Sequence, residues 1–159
     1  MIKRKRLFKR IYIFNQVPMP NFIIKTHQKN VVYKQPHIFI LNKGLNSGKP
    51  QKEPFTNSFV VIFSSEEDLE TTYWLAVSLW QSKFWNRYLV GSVIPFLRIN
   101  EFQSNFNPKV REMLDDFEAH QRDVKALQLL ELKKEQFHQN IYLINDIRRI
   151  ILHRYCKKN

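Results

Sequence analysis

The sequence predicts an α+β protein: a small, mostly antiparallel sheet packed on one aromatic helix and followed by a long C-terminal helix or helical hairpin. Three observations carry this reading. Residues 21–64 hold short β-branched and aromatic runs broken by Pro and Gly, the pattern of strands and turns. Residues 65–90 hold one aromatic-rich stretch with helical spacing. After Pro108 neither Gly nor Pro occurs, while apolar residues keep recurring every three or four positions.

The bulk composition narrows the class. A hydrophobic content of 43% and 13 phenylalanines among 159 residues exclude an intrinsically disordered chain and point to a core built on rings. Lys and Arg number 26 against 14 Asp and Glu, a net charge of +12. Such a field favours polyanions, nucleic acid first, then anionic membranes or acidic proteins; a solvated basic surface is the plain alternative. Cys156 is the single cysteine, which excludes an intramolecular disulfide and any zinc site built on several cysteines. The start, "MIKRKRLFKRIYIF", is basic and then apolar, but the apolar part is short and interrupted and no small-residue cleavage pattern follows. With no apolar run of about 20 residues, a membrane span is not expected and a cytoplasmic protein is.

Each element can be justified in order. Residues 1–10 form a basic arm carrying Arg4, Lys5, Arg6, Lys9 and Arg10, leading into the strand-like "LFKRIYIF". An α+β domain is expected over 11–106. Its strands read as "NFIIKTH" (21–27), "NVVYK" (30–34), "HIFILN" (37–42) and "NSFVVIFS" (57–64). "KGLNSGKPQKEP" (43–54) is the clearest loop. Ser64 and Ser65 are N-cap candidates for the next helix, with Glu67 and Asp68 three residues beyond them in a capping box. Glu66, Glu67, Asp68 and Glu70 suit the positive end of that helix dipole. The apolar face is Leu69, Tyr73, Ala76, Val77, Trp80 and Phe84, widened by Trp74, Trp85 and Tyr88, and Gly91 is the expected stop. "VIPFLRI" (93–99) reads as a strand held to an edge or bulge by Pro95.

The last segment, 107–159, is a helical arm or hairpin. Asn107 and Pro108 suit an N-cap and first helical position. Met113, Phe117, His120, Val124 and Leu127 keep helical spacing, as do Phe137, Ile141, Ile144, Ile147, Ile151 and Tyr155, with weak heptad character. A single helix of about 48 residues would extend roughly 70 Å. A domain of about 100 residues, with a radius of gyration near ~13 Å, cannot cover such a stripe. The tract therefore either folds back, near Lys125–Leu132, or pairs with another chain. Phe137, Ile141, Ile144 and Ile151 are the candidate partner interface.

No catalytic constellation emerges. "NKGLNSGKP" lacks phosphate-loop spacing, since Gly44 and Gly48 stand too close and Pro50 follows Lys49. Lys43, Lys49 and Lys52 suit contacts to a nucleic-acid backbone instead, and a plain connecting loop serves the sequence equally well. The five histidines show no metal-binding pairing, and His120 on the apolar stripe reads as a packing residue. Glu131-Leu-Lys133 reads as a solvated helix face. Asp115 and Asp116 are adjacent, so they point to different sides of a helix and cannot share a proton. Neither cofactor nor metal is expected. Trp80 and Phe84 read as core. Trp85 and Tyr88, beside Lys83 and Arg87, are as readable as core as they are as base-stacking surfaces.

Residues 72–106, "TYWLAVSLWQSKFWNRYLVGSVIPFLRINEF" in their main part, resemble the later portion of target recognition domains in type I restriction–modification specificity subunits. Tyr73–Trp85 match that family's aromatic helix, Gly91-Ser92 its turn, and Ile94-Pro95-Phe96-Leu97 its strand segment. The helical tract 107–155 resembles its spacer helix in position. The family's "PLPPLEEQ" before that helix has no counterpart; "NEFQSNFNPKV" stands there. The same stretch, paired with "NKGLNSGKP", is also similar to small uncharacterised proteins of Bacteroidales mobile elements. The first resemblance implies a helix-to-strand unit that supports a DNA-reading surface, with the reading done by loops.

The expected function is non-enzymatic DNA binding by a target-recognition-like module, acting as a dimer or as a subunit of a larger complex. Its phosphate contacts would come from Arg4, Lys5, Arg6, Lys9 and Arg10 in the arm, Lys43 and Lys49 in the loop, and Lys83 and Arg87 at the helix end. A protein–protein adaptor or inhibitor using the C-terminal helices is the alternative, and RNA binding the third reading.

Overall fold

The computed structural model describes residues 18–156. The expected arm 1–10 and the strand-like "LFKRIYIF" lie outside them. Four antiparallel strands are followed by three α-helices: β1 (Phe22–Thr26), β2 (His37–Leu41), β3 (Pro50–Gln51), β4 (Ser58–Phe63), α1 (Glu66–Gln81), α2 (Ile99–Asp115) and α3 (Phe117–His153). The sheet order is β1-β4-β2-β3. In the centre Phe39 pairs with Val60 and Ile40 with Phe59, while Ile24 pairs with Val61 across β1 and β4. The α+β class expected from the sequence is what the chain forms.

Strand alternation sets the two faces. Ile24, Ile38, Ile40, Phe59, Val61 and Phe63 point to the helices and build the core. On the opposite face Phe39 and Val60 are also buried. Phe39 sits among the rings of His27, Tyr33 and His37 at centroid distances of 5.0, 6.1 and 5.2 Å. That cluster corrects one strand expectation. "NVVYK" (30–34) is an irregular segment, because Asn30 turns the chain with a φ of 69° and Tyr33 is drawn into the aromatic cluster. Both edges of β2 are already taken, by β4 and β3, so the segment finds no strand to pair with there.

α1 starts as its sequence requires. Ser65 is the N-cap, its hydroxyl accepting a hydrogen bond from the Asp68 amide at 3.1 Å, with Glu66, Glu67 and Asp68 in the first turn. It ends earlier than expected: Gly91 is not the stop. Lys83 adopts a left-handed φ of 57° and a 3-10 turn, Phe84–Tyr88, follows. A left-handed non-glycine residue costs about 1–2 kcal/mol. The turn it allows drives Trp85 to 1% exposure, and burying a ring of that size stabilises by more than the turn costs.

The segment 93–99 is not a strand. Phe96 alone forms bridges, to Lys43 and to Val90. Pro95 has no amide to donate and serves as an acceptor, its carbonyl receiving the Gly44 amide at 2.7 Å. The Asn107–Pro108 helix start is likewise overturned: α2 begins at Ile99 and runs through Pro108. Its buried residues Phe102, Phe106, Val110 and Met113 keep a spacing of four, four and three. Each contributes roughly 1.5–3 kcal/mol by burial, which together exceeds the ~3 kcal/mol that a proline costs inside a helix. α2 therefore joins α1 in covering the sheet, and Gln103 donates to the Ile24 carbonyl of β1 at 3.2 Å. Pro108→Ala is expected to raise the urea midpoint by restoring an amide opposite the Ser104 carbonyl; an unchanged or lower midpoint would show that α2 is bent there by packing instead.

The C-terminal tract is two helices, broken at Asp116 rather than near Lys125–Leu132. Asp116 caps α3, its Oδ1 accepting from the Ala119 amide at 3.3 Å. The first turns of α3 are tied to α1. The His120 Nε2–H donates to the Thr71 carbonyl at 3.1 Å, Val124 is buried, and Gln128 donates to Glu70. Thus His120 is the packing residue its position suggests. Beyond Glu131 every residue of α3 except the half-buried Asp146 is exposed. Among the described residues no helix is long and apolar enough to cross a membrane.

Candidate nucleic-acid interface

The loop 42–49 and the end of α1 are sequence-distant but meet in space. The loop is a closed turn: the Gly48 amide donates to the Leu41 carbonyl at 2.6 Å, and the Ser47 amide and hydroxyl both donate to the Gly44 carbonyl. Gly44 and Gly48 both have a φ of 90°. A β-carbon on Gly48 would stand 2.1 Å from Cδ1 of Trp85, so the loop backbone lies directly on the indole. This contact decides between the two readings of Trp85. It is core, not a base-stacking surface, and its Nε1 finds no acceptor among the described residues.

Around this junction basic side chains lie over aromatic rings. The Lys49 ammonium is 5.2 Å from the Trp80 ring centre. The Arg87 guanidinium is 5.3 Å from Phe84 and 6.0 Å from Tyr88, and the Lys109 ammonium approaches Phe84 from α2 at 5.7 Å. Such contacts are worth about 0.5–1 kcal/mol at exposed sites, and they fix where each cation stands. Between the loop and the helix end lies a depression of about 360 Å³ lined by Asn46, Trp80, Gln81, Lys83 and Asn86, with Leu45 at its edge. Lys43 is exposed on the flank of the same loop, bridged to Phe96. Of the cations expected from the sequence, the fold brings Lys49 and Lys83 to one surface, with Arg87 on the adjoining turn. Arg4, Lys5, Arg6, Lys9 and Arg10 lie outside the described residues. Phe137, Ile141, Ile144 and Ile151 stand on the distal part of α3, away from this junction.

The sequence reading missed Lys109, which reaches the site only through the path of α2. It also missed a signal written plainly in the chain. Residues 1–52 contain no Asp or Glu, and neither do residues 71–100. The fold places the loop from the first stretch against the helix end from the second, so the junction is cationic without intervening carboxylates; Glu112, paired with Lys109, lies at its edge. A further distribution matters for binding. Residues 18–156 carry only +4, because eight of the net positive charges belong to Lys3, Arg4, Lys5, Arg6, Lys9, Arg10, Lys157 and Lys158.

Elsewhere the chemistry is less suited to an anion. Two adjoining depressions of about 430 and 370 Å³ share Lys52, Glu66 and Leu69, and their carboxylates oppose phosphate. Tyr73 lines the second; burial, with the Glu131 carboxylate adding to it, holds its phenol above the ordinary value. Among the described residues no group of three or more His, Cys, Asp or Glu is placed to hold a metal ion.

No curated protein and no solved structure matches the chain. A model for a family of unknown function (DUF6943) matches residues 24–154, from the first strand through the last turn of α3. The matched span takes in the sheet, the cationic junction and the exposed helix alike, and the chain belongs to that family.

Proposed function

We propose that the chain is a non-enzymatic DNA-binding protein, a target-recognition-like module that works as a dimer or within a larger complex. The observation that supports this best is the cationic junction where Lys49 and Arg87 are held over aromatic rings and Lys83 lines the depression beside them, with the Glu112 carboxylate at its edge. Cations fixed in this way suit phosphate contacts, which set the orientation of a duplex without reading its sequence. The ring faces of Trp80, Phe84 and Tyr88 are already occupied by the chain's own cations, which leaves little open surface for splayed single-stranded bases. Duplex DNA is therefore favoured over single-stranded RNA. The basic termini, with twice the net charge of residues 18–156, would add salt-sensitive, sequence-independent affinity.

Fluorescence anisotropy with random duplex DNA and with RNA of equal length, across a salt series, tests this reading. Wild-type protein is expected to bind DNA with a linear log–log salt dependence. The variant K49E/K83E/R87E is expected to bind more weakly and to lose about 2–3 from the slope, one per phosphate contact removed. Reversing Arg4, Lys5, Arg6, Lys9 and Arg10 is expected to flatten it further. A folded triple variant with unchanged affinity and slope would refute the junction as the interface. Tighter binding to single-stranded RNA would overturn the DNA reading.

A second reading, as a protein–protein adaptor or inhibitor, is favoured by a different observation, the exposed apolar side of α3. The two are compatible, since a self-associating helix can present two basic domains to one duplex.

A further inference from the structure

From Leu127 to Tyr155 fourteen large apolar side chains stand exposed, among them Phe137 at 64%, Ile144 at 63% and Tyr155 at 85%. At roughly 100 Å² each they leave about 1,400 Å² of apolar surface to water, where a monomer's largest patch is ordinarily about 300–600 Å². A stable dimer buries about 800 Å² per partner, so this face exposes enough for one.

The spacing defines a seam. Leu127, Leu130, Phe137, Ile141, Ile144 and Ile151 recur at alternating three- and four-residue steps, interrupted only at Lys134 and Arg148. Those two interruptions decide orientation. In a parallel pair each seam residue meets its own copy, so Lys134 would face Lys134 and Arg148 would face Arg148. Like charges brought together in an apolar seam are strongly unfavourable. In an antiparallel pair with Ile141 level with Ile144 of the second copy, neither seam cation meets its own copy. Lys134 then lies opposite Ile151, and its methylene stem packs there while its ammonium reaches out. Arg148 lies opposite Phe137, where the guanidinium can cover the ring.

We infer that α3 is a self-association element, and that a second copy of this chain lies antiparallel along its Leu130–Tyr155 seam in this register. Leu130 then meets Tyr155, so the paired stretch is about 38 Å long, and the two α+β domains stand at its opposite ends. Leu129, Leu132, Leu143, Ile147 and Ile150 add an adjoining apolar flank on which two such pairs can stack. The inference rests on α3 alone and stands whether or not the junction binds DNA.

The test uses the full chain without nucleic acid. Light scattering at high micromolar concentration is expected to give a dimer or a tetramer. Two variants, Phe137→Cys and Arg148→Cys, are then made in a Cys156→Ser background and distinguished by tags of different size. In the proposed register these two positions face each other, whereas each lies about 16 Å along the helix from its own copy. Under mild oxidation the mixture is expected to form the mixed disulfide at least about tenfold faster than either variant alone, since a disulfide needs β-carbons about 3.5–4.5 Å apart. Rapid self-cross-linking of Phe137→Cys would mean a parallel pair and overturn the inference. A monomeric wild-type chain would overturn it too and give the face to a different protein.

Discussion

Gly48→Ala is expected to destabilise the chain by roughly 2–5 kcal/mol, read as a lowered urea midpoint at unchanged slope. Two costs add. A left-handed φ asks about 1–2 kcal/mol of an L-residue, and forcing a methyl into a packed site asks typically 1–3 kcal/mol more. The second cost is large here because the new carbon would stand 2.1 Å from Trp85 Cδ1 and 2.6 Å from Cγ. The indole cannot retreat easily, since its ring is 4.9 Å from Phe102 on its other contacts and 5.0 Å from Phe84. Gly44→Ala is the internal control. It has the same φ of 90° but nothing within 4 Å of the added carbon, so it should show only the backbone cost. Equal losses at the two positions would mean that the loop does not press on Trp85, and the junction would lose its geometric basis. Because the same contact holds the loop, and Lys49 with it, beside Lys83, the proposed DNA-binding role predicts that Gly48→Ala weakens DNA binding more than Gly44→Ala does.

Phe102→Ala is expected to cost about 3–5 kcal/mol, a large fraction of the roughly 5–15 kcal/mol that holds an ordinary domain folded, read as a strongly lowered urea midpoint. Phe102 is fully buried and touches three parts of the structure: Phe59 of the sheet at 5.5 Å, Trp85 of the 3-10 turn at 4.9 Å and Phe106 of its own helix at 4.9 Å. Truncation would leave a ring-sized cavity where these elements converge, and rigid aromatic neighbours limit its collapse. Phe137→Ala removes the same group from a site that is 64% exposed, and it should leave the domain's unfolding unchanged while weakening self-association. If both substitutions shifted the urea midpoint alike, α3 beyond Glu131 would have to be part of the folded core.

The sequence by itself determined the features that depend on local chemistry. The α+β class followed from periodicity, and β1, β2 and β4 from their β-branched and aromatic runs. The start of α1 followed from Ser65 and the carboxylates behind it, because a cap is satisfied within one turn of chain. The exposed stripe on α3 was legible as well, since its helical spacing extends further than a domain of this size can cover. The cations of the loop and the helix end were named from their residue types, but nothing local says that Lys49 stands over Trp80.

Tertiary structure decided the rest, through contacts that local propensity does not encode. Propensity placed a helix start at Asn107–Pro108, yet four buried residues of α2 outweigh one unfavourable proline. Propensity placed a helix stop at Gly91, yet burying Trp85 in the core makes a left-handed Lys83 tolerable. "NVVYK" has the composition of a strand but no free edge of β2 to join. Lys109 enters the junction only because α2 crosses behind the 3-10 turn. In the first two cases a long-range burial worth several kcal/mol overrode a local preference worth about one to three. The boundaries of the elements and the assembly of the site were set by packing, whereas the kinds of element and the residues of the site were set by sequence.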